Sequence, residues 1–243
     1  MLNQRDVVVF DVDGTVIFAQ DMYDKVFREA SAKFFGSRRS FCLSRDPQTN
    51  AEDKEYVKRT GSQNFKLRAK QVGVPVNVIT DELQRRFFDC FDRTVKAYSG
   101  PYQVEYFNYV EEFLQGLHGV TLALLSTSTR AFQSKALGHL LKYFDLKMSY
   151  FLGECPCKQA GLECIASSLQ SRGLCRSLTY VGDAPADMYA LKQVRTPLVK
   201  KVAVGVAMTR FVSEEELFKA GADLVIDCYS ARNLSTFIKH IEG

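Results

Sequence analysis

The sequence predicts an α/β protein, a doubly wound parallel sheet interrupted early by an all-helical unit. Three observations carry this reading. Short, uniformly apolar runs recur along the chain, as at Val7–Phe10 (VVVF), Thr121–Leu125 (TLALL), Ser177–Val181 (SLTYV) and Val202–Val206 (VAVGV). Such runs suit strands buried on both faces. Segments with helical periodicity lie between them, and strands alternating with helices imply parallel pairing. From about residue 18 to residue 100 the strand pattern stops and only helical stripes remain.

Val7–Phe10 is the first strand. In the helical stretch, Met22, Val26, Phe27, Ala30 and Phe34 form one apolar stripe. Ser62 is placed to cap a second helix that ends at Gly73, with Phe65, Ala69 and Val72 inward. Leu83, Phe87, Phe88, Phe91 and Val95 form a third stripe, opened by Thr80 with Asp81 and Glu82 in the first turn. Gly100-Pro101 punctuates the return to the α/β pattern. Val104–Leu117 then reads as a helix with Phe107, Val110, Phe113, Leu114 and Leu117 on one side. Thr121–Leu125, Lys147–Leu152, Ser177–Val181, Val202–Val206 and Leu224–Ile226 read as further strands. Ala131–Leu141, Leu162–Ser171, Ala186–Val194, Ser213–Lys219 and Leu234–Ile241 are the intervening helices. The expected division is a core of residues 1–17 and 101–243 with a helical domain at 18–100.

With 243 residues, 46% of them hydrophobic and 25% charged, the chain can bury a substantial core and has none of the bias of disorder. Its net charge of +4 is too slight for a nucleic-acid binder. No apolar run is long enough to cross a bilayer, and the first strand leaves no room for a leader, so a cytoplasmic protein is expected. Seven cysteines, an odd number, fit reduced thiols. Cys155-Pro156-Cys157 is open to metal binding or redox cycling, but without nearby Cys or His partners it reads better as plain thiols. Three histidines argue against a multi-histidine metal site.

Ligands of parallel α/β sheets bind beyond the carboxyl ends of the strands. There the sequence places Asp11 and Asp13, Ser126 and Thr127, Lys158 just before a helix, and Asp183 with Asp187. Singly, Ser126 reads as a helix cap, Asp187 as a first-turn acid and Lys158 as a solvated lysine. The run DVDGT, Asp11–Thr15, is different. A buried strand that ends in two carboxylates is costly unless they meet a cation or share a proton.

These motifs resemble those of the haloacid dehalogenase superfamily, in the branch with a helical cap inserted after the first motif. DVDGT is similar to the family's first motif, LLS ending at Ser126 to its second, Lys158 in placement to its third, and VGDAPAD to its fourth. The chain departs from many capped relatives in lacking a Pro-x-Pro-like segment after Lys158, which leaves Lys135 and Lys142 as competing lysines.

The resemblance implies a Rossmann-like core and a Mg²⁺-dependent phosphomonoester hydrolase. In it Asp11 is the nucleophile, Asp13 the general acid and base, and Ser126 and Lys158 bind and neutralise the phosphoryl group. It assigns the metal to Asp11, Asp13, Asp183 and Asp187. Thr127 is expected to join Ser126 in substrate binding, and Arg59 and Lys66, in a basic cap cluster with Arg68, either reach the part of the substrate beyond the phosphate or are solvated cap residues. The expected partner is a small phosphorylated metabolite, with neither nucleic acid nor membrane, and the chain is expected to be a monomer or weak homodimer. Asp13 argues against a dehalogenase or phosphonatase. A sugar phosphomutase shares all the motifs, and a catalytically silent domain of the same fold is the reading from another class.

Overall fold

The computed structural model describes residues 6–36, 61–171, 177–197, 200–208 and 212–242. The chain divides into two compact units. One comprises residues 1–18, 105–126 and 137–243, the other 19–104 and 127–136.

The first unit is built on a five-stranded parallel sheet of β1 (Asp6–Phe10), β4 (Thr121–Leu124), β5 (Ser177–Gly182), β6 (Lys200–Val206) and β7 (Leu224–Ile226). Their order is β4-β1-β5-β6-β7. The second strand of the main sheet thus lies on one side of β1 and the third on the other, so the order reverses beside β1. Ligands of doubly wound sheets bind outside the carboxyl ends at such a reversal. Residues of β1 are fully buried, as VVVF requires. Val7 and Val9 face a core with Leu162, Ile165, Tyr180, Met188 and Leu217. Those residues come from α6 (Lys158–Gln170), α7 (Pro185–Lys192), α8 (Glu214–Ala220) and β5. Alternation turns Val8 and Phe10 to the opposite face. There Phe10 meets Phe144 edge-on at 5.9 Å. Helices α4 (Val110–Gly116) and α9 (Ala231–Glu242) pack through Phe113 and Phe237, whose rings lie 5.3 Å apart.

The second unit is helical. It holds α1 (Gln20–Phe35), α2 (Gly61–Gln71), a 3-10 turn at Val76–Val78, α3 (Asp81–Ala97) and α5 (Arg130–Leu137). Its core is aromatic: Phe27 lies 5.1 Å from Phe87, Phe65 5.1 Å from Phe87, and Tyr23 5.5 Å from Phe132. Thr80 caps α3 by accepting from Leu83 N at 3.2 Å. At the other end Lys135 donates to the Val95 and Tyr98 carbonyls, at 2.8 and 2.7 Å. That is where a cation satisfies orphan carbonyls and the helix dipole together.

Three elements differ from the sequence reading. Lys147–Leu152 is not a strand of the sheet; it reduces to isolated bridges of Tyr150 with Leu125 and of Leu152 with Cys155. The cause is a turn at Asp145, which accepts from Lys147 N and Met148 N, while the Ser149 hydroxyl takes Leu124 N. The helix expected over 104–117 begins only at Val110, because Tyr109 takes a left-handed φ of 62° that no running helix admits. Its first residues instead give β3 (Glu105–Tyr106), antiparallel to β2 (Ile17–Phe18). The helix expected over 131–141 tightens to a 3-10 turn after Leu137, where Gly138 has a φ of 53°. Smaller shifts occur at two caps. Ser62 falls inside α2 rather than at its cap, and Lys158 opens α6 rather than preceding it.

Candidate active site

Asp11 is the first residue past β1, and its N–H donates to Val181 O of β5 at 2.8 Å. On the other side, Leu125 N reaches Phe10 O at 2.8 Å, which sets Ser126 beside the end of the same strand. The chain then turns sharply. The N–H groups of Thr15, Val16 and Ile17 all point at Val12 O, within 3.2 Å. Gly14 sits in this turn at φ 80°, and a Cβ there would collide with the Asp183 carboxylate. Only glycine lets the two loops approach this closely. The Thr15 hydroxyl lies 3.5 Å from Asp183 Oδ1, a loose contact, and the Tyr229 hydroxyl donates to Thr15 O at 2.5 Å.

Asp183 lies in the turn after β5, and Asp187 in the first turn of α7. Asp187 accepts from Ala184 N at 3.1 Å with one oxygen. With the other it accepts from Lys158 Nζ at 2.5 Å and from Tyr180 Oη at 3.2 Å. Its side chain has no solvent exposure. Lys158 also reaches Asp11 Oδ2 at 2.9 Å, so its ammonium bridges two carboxylates.

Oxygens of Asp11, Asp183 and Asp187 fall within 4.8 Å of one another, which makes the group a candidate cation site. Burial pushes the Asp11 carboxyl up to about 7; Lys158 pulls it down and Asp187 pushes it up further. Burial, then the charges of Asp11 and Asp187, hold Asp183 well above the carboxylate range. Burial disfavours the Lys158 ammonium, but Asp11 and Asp187 outweigh it and hold the lysine well above its ordinary value. One ammonium thus faces three carboxylates, and the surplus negative charge is what a hard divalent cation would relieve. An all-oxygen donor set of this kind fits Mg²⁺.

The structure therefore brings together Asp11, Lys158, Asp183 and Asp187, with Ser126 at the neighbouring strand end. Asp13 is half-buried in the same turn, bridged to Ile17, and its carboxylate stands outside the three-carboxylate cluster. Thr127 and Lys66 belong to the helical unit, Thr127 half-buried and Lys66 exposed on α2. Arg59 lies outside the described residues. The basic cluster read from the sequence does not hold as one surface, because Arg68 is buried at 2% exposure. The competing lysines are engaged elsewhere: Lys135 caps α3, and Lys142 pairs with Glu111 at 2.9 Å. Cys155 is half-buried with its thiol pushed up to about 11 by burial, and Cys157 is exposed. Sequence reasoning missed Tyr180 and Tyr229. For Tyr180 a signal existed, since a phenol in a fully buried strand needs a partner for its hydroxyl.

The family model of the haloacid dehalogenase-like hydrolases matches residues 5–195, which include every carboxylate and the lysine of this cluster. The chain belongs to that family. Solved structures agree on the fold of this hydrolase. A haloacid dehalogenase-like hydrolase of Streptococcus pneumoniae superposes with a TM-score of 0.61 at 17% identity, covering 95% of this chain and 97% of the other. A predicted phosphoglycolate phosphatase of Haemophilus somnus gives 0.65 at 14% identity, with 97% and 100% covered. A β-phosphoglucomutase of a Pyrococcus species gives 0.57 at 20%, with 97% and 99% covered. No curated protein sequence matches the chain. No helix among the described residues is long and apolar enough to cross a membrane.

Proposed function

We propose that this hydrolase cleaves phosphomonoesters of small metabolites through an aspartyl-phosphate on Asp11, with Mg²⁺ as its cofactor. The observation that carries the reading is the Lys158 ammonium seated between Asp11 and Asp187, beside Asp183, at the carboxyl ends of β1 and β5. Asp11, Asp183 and Asp187, with the backbone carbonyl of Asp13, would hold the ion. Bound there, Mg²⁺ supplies positive charge against the carboxylates and a phosphate oxygen.

The steps fall to the chain's own side chains. An Asp11 oxygen attacks phosphorus, and the bond from phosphorus to the ester oxygen breaks. Asp13 gives its proton to that leaving oxygen, and the alcohol departs. Asp13, now a carboxylate, takes a proton from water as the water attacks the phosphorus of the acyl phosphate. Inorganic phosphate leaves and the Asp11 carboxylate is restored. Lys158 favours the ionised form of Asp11 and offsets charge on the phosphoryl group, while Ser126 and Thr127 donate hydrogen bonds to it. Arg59 and Lys66 are assigned to the rest of the substrate.

A phosphatase and a phosphomutase, the activities named for two of the similar structures, are the two outcomes to be separated. The test is release of phosphate from p-nitrophenyl phosphate and then from a metabolite panel, with and without Mg²⁺. Mg²⁺-dependent release that vanishes in Asp11→Asn supports the reading. An isomerised sugar phosphate without free phosphate replaces the phosphatase with a mutase. No turnover of either kind leaves a silent domain.

A further inference from the structure

The turn that carries Asp11 and Asp13 rests on a residue from the far end of the chain. Tyr229 is 1% exposed, and its hydroxyl donates to the Thr15 carbonyl at 2.5 Å across 214 residues. The N–H groups of Gly14, Thr15, Val16 and Ile17 are spent on Val12 O and Ile17 O, and this phenol supplies a donor from outside the turn. Thr15 in turn touches Asp183, and the glycine before it is pressed against that carboxylate.

Tyr229 is itself held rigidly. After β7 the chain runs through Asp227 and Cys228, both tied by the Asn233 amide, to Asp227 Oδ1 at 2.9 Å and Cys228 O at 2.9 Å. Asn233 N donates to Ser230 Oγ at 3.2 Å, which closes the loop onto the start of α9. The Tyr229 ring then packs on Phe113 with centroids 4.8 Å apart. Tyr229 and the Asn233-tied loop lie beyond residue 195, where the family match ends.

We propose that Tyr229 is a positioning residue of the cation site: its hydroxyl, braced by the Asn233-tied loop, fixes the turn that sets Asp11 and the Asp13 carbonyl against Asp183. This rests on the proposed metal-dependent reading. The residue touches neither substrate nor ion; it acts through the turn. Without its hydroxyl a buried carbonyl loses its donor, and the turn shifts to find another. A shift there moves Asp11 and the Asp13 carbonyl relative to Asp183 and Asp187.

The experiment compares wild type, Tyr229→Phe and Phe237→Leu. Phe237 is a buried core residue with no hydrogen bond to the turn, and its truncation controls for lost stability. Mg²⁺ binding is measured calorimetrically, and thermal unfolding is followed in a chelator. Turnover is measured with p-nitrophenyl phosphate. Tyr229→Phe is expected to weaken Mg²⁺ binding roughly tenfold, the usual loss when an outer partner of a metal site is removed. Its kcat falls while KM stays within about twofold, the pattern of an interaction felt in the transition state. Phe237→Leu melts earlier but binds Mg²⁺ as wild type does. Wild-type affinity in Tyr229→Phe overturns the inference alone, as does equal weakening in Phe237→Leu. Failure of the wild type to bind Mg²⁺ overturns both this inference and the metal-dependent reading beneath it.

Discussion

Lys158 stands 2.5 Å from Asp187, a carboxylate with no solvent exposure, and so the lysine is oriented from behind before it meets Asp11. Tyr180 and Ala184 N complete the shell of Asp187. The Asp187 carboxylate thus ties α6, α7 and β5 together.

Removing that ammonium leaves a buried carboxylate with no counter-ion. Breaking a buried pair in this way costs about 3–5 kcal/mol. Lys158→Met is therefore expected to lower the urea midpoint strongly and to abolish phosphate release. Lys158→Met with Asp187→Asn removes the stranded charge, so it should recover much of the stability and none of the activity. A double variant no more stable than Lys158→Met would sink the account of Asp187.

Asp11 makes metal-free stability depend on pH. Its carboxyl is raised to about 7 in the folded chain, against about 3.9 for an unfolded aspartate. Between these values the folded state holds a proton that the unfolded state has released. The contribution of this group to stability therefore falls as pH rises through that window. The raised Asp183 acts in the same direction. In a chelator, Asp11→Asn should melt above wild type at pH 8, and the gap should close towards pH 4. Saturating Mg²⁺ reverses the trend for wild type, because it binds the ionised carboxylates. A gap between wild type and variant that does not change with pH contradicts this picture.

Lys135 separates a structural lysine from a chemical one. Its hydrogen bonds to Val95 O and Tyr98 O close the C-terminal end of α3. Lys135→Met should cost about 1–2 kcal/mol, the scale of a charged helix cap with its hydrogen bonds. Phosphate release at saturating substrate should persist, in contrast to Lys158→Met. Loss of turnover without loss of stability would return Lys135 to the list of candidate catalytic lysines.

What the sequence revealed follows from how local each signal is. DVDGT and VGDAPAD were legible because a buried apolar run that ends in carboxylates is a conflict within a few residues. The aromatic stripes of α1 and α3 were legible because helical periodicity is also local. Tyr229 was not, since its partner lies 214 residues away and the tyrosine has no charged neighbour to mark it. The strand expected at Lys147–Leu152 failed for a different reason. Its apolar pattern was sound, but Asp145 and Ser149 compete for the backbone groups that a ladder needs. Tyr109 defeated the helix at 104–117 by a left-handed conformation that its own identity does not announce.

Gly14 offers the sharpest test of how finely the site is set. At φ 80° an added Cβ carries backbone strain, and here it would also press on the Asp183 carboxylate. Gly221 is a matched control, with φ 98° and a Cβ that would meet only the flexible end of Lys192. Both alanine variants share the left-handed penalty, about 1–2 kcal/mol. Both should therefore melt earlier, Gly14→Ala by the larger amount. Gly14→Ala alone should lose kcat by on the order of a hundredfold, the scale of an ångström's misplacement between reacting groups. The measurement is kcat for p-nitrophenyl phosphate beside the unfolding midpoint of each variant. Equal kcat in the two would mean that Asp183 tolerates displacement, and the close packing of the two loops would then have no bearing on catalysis.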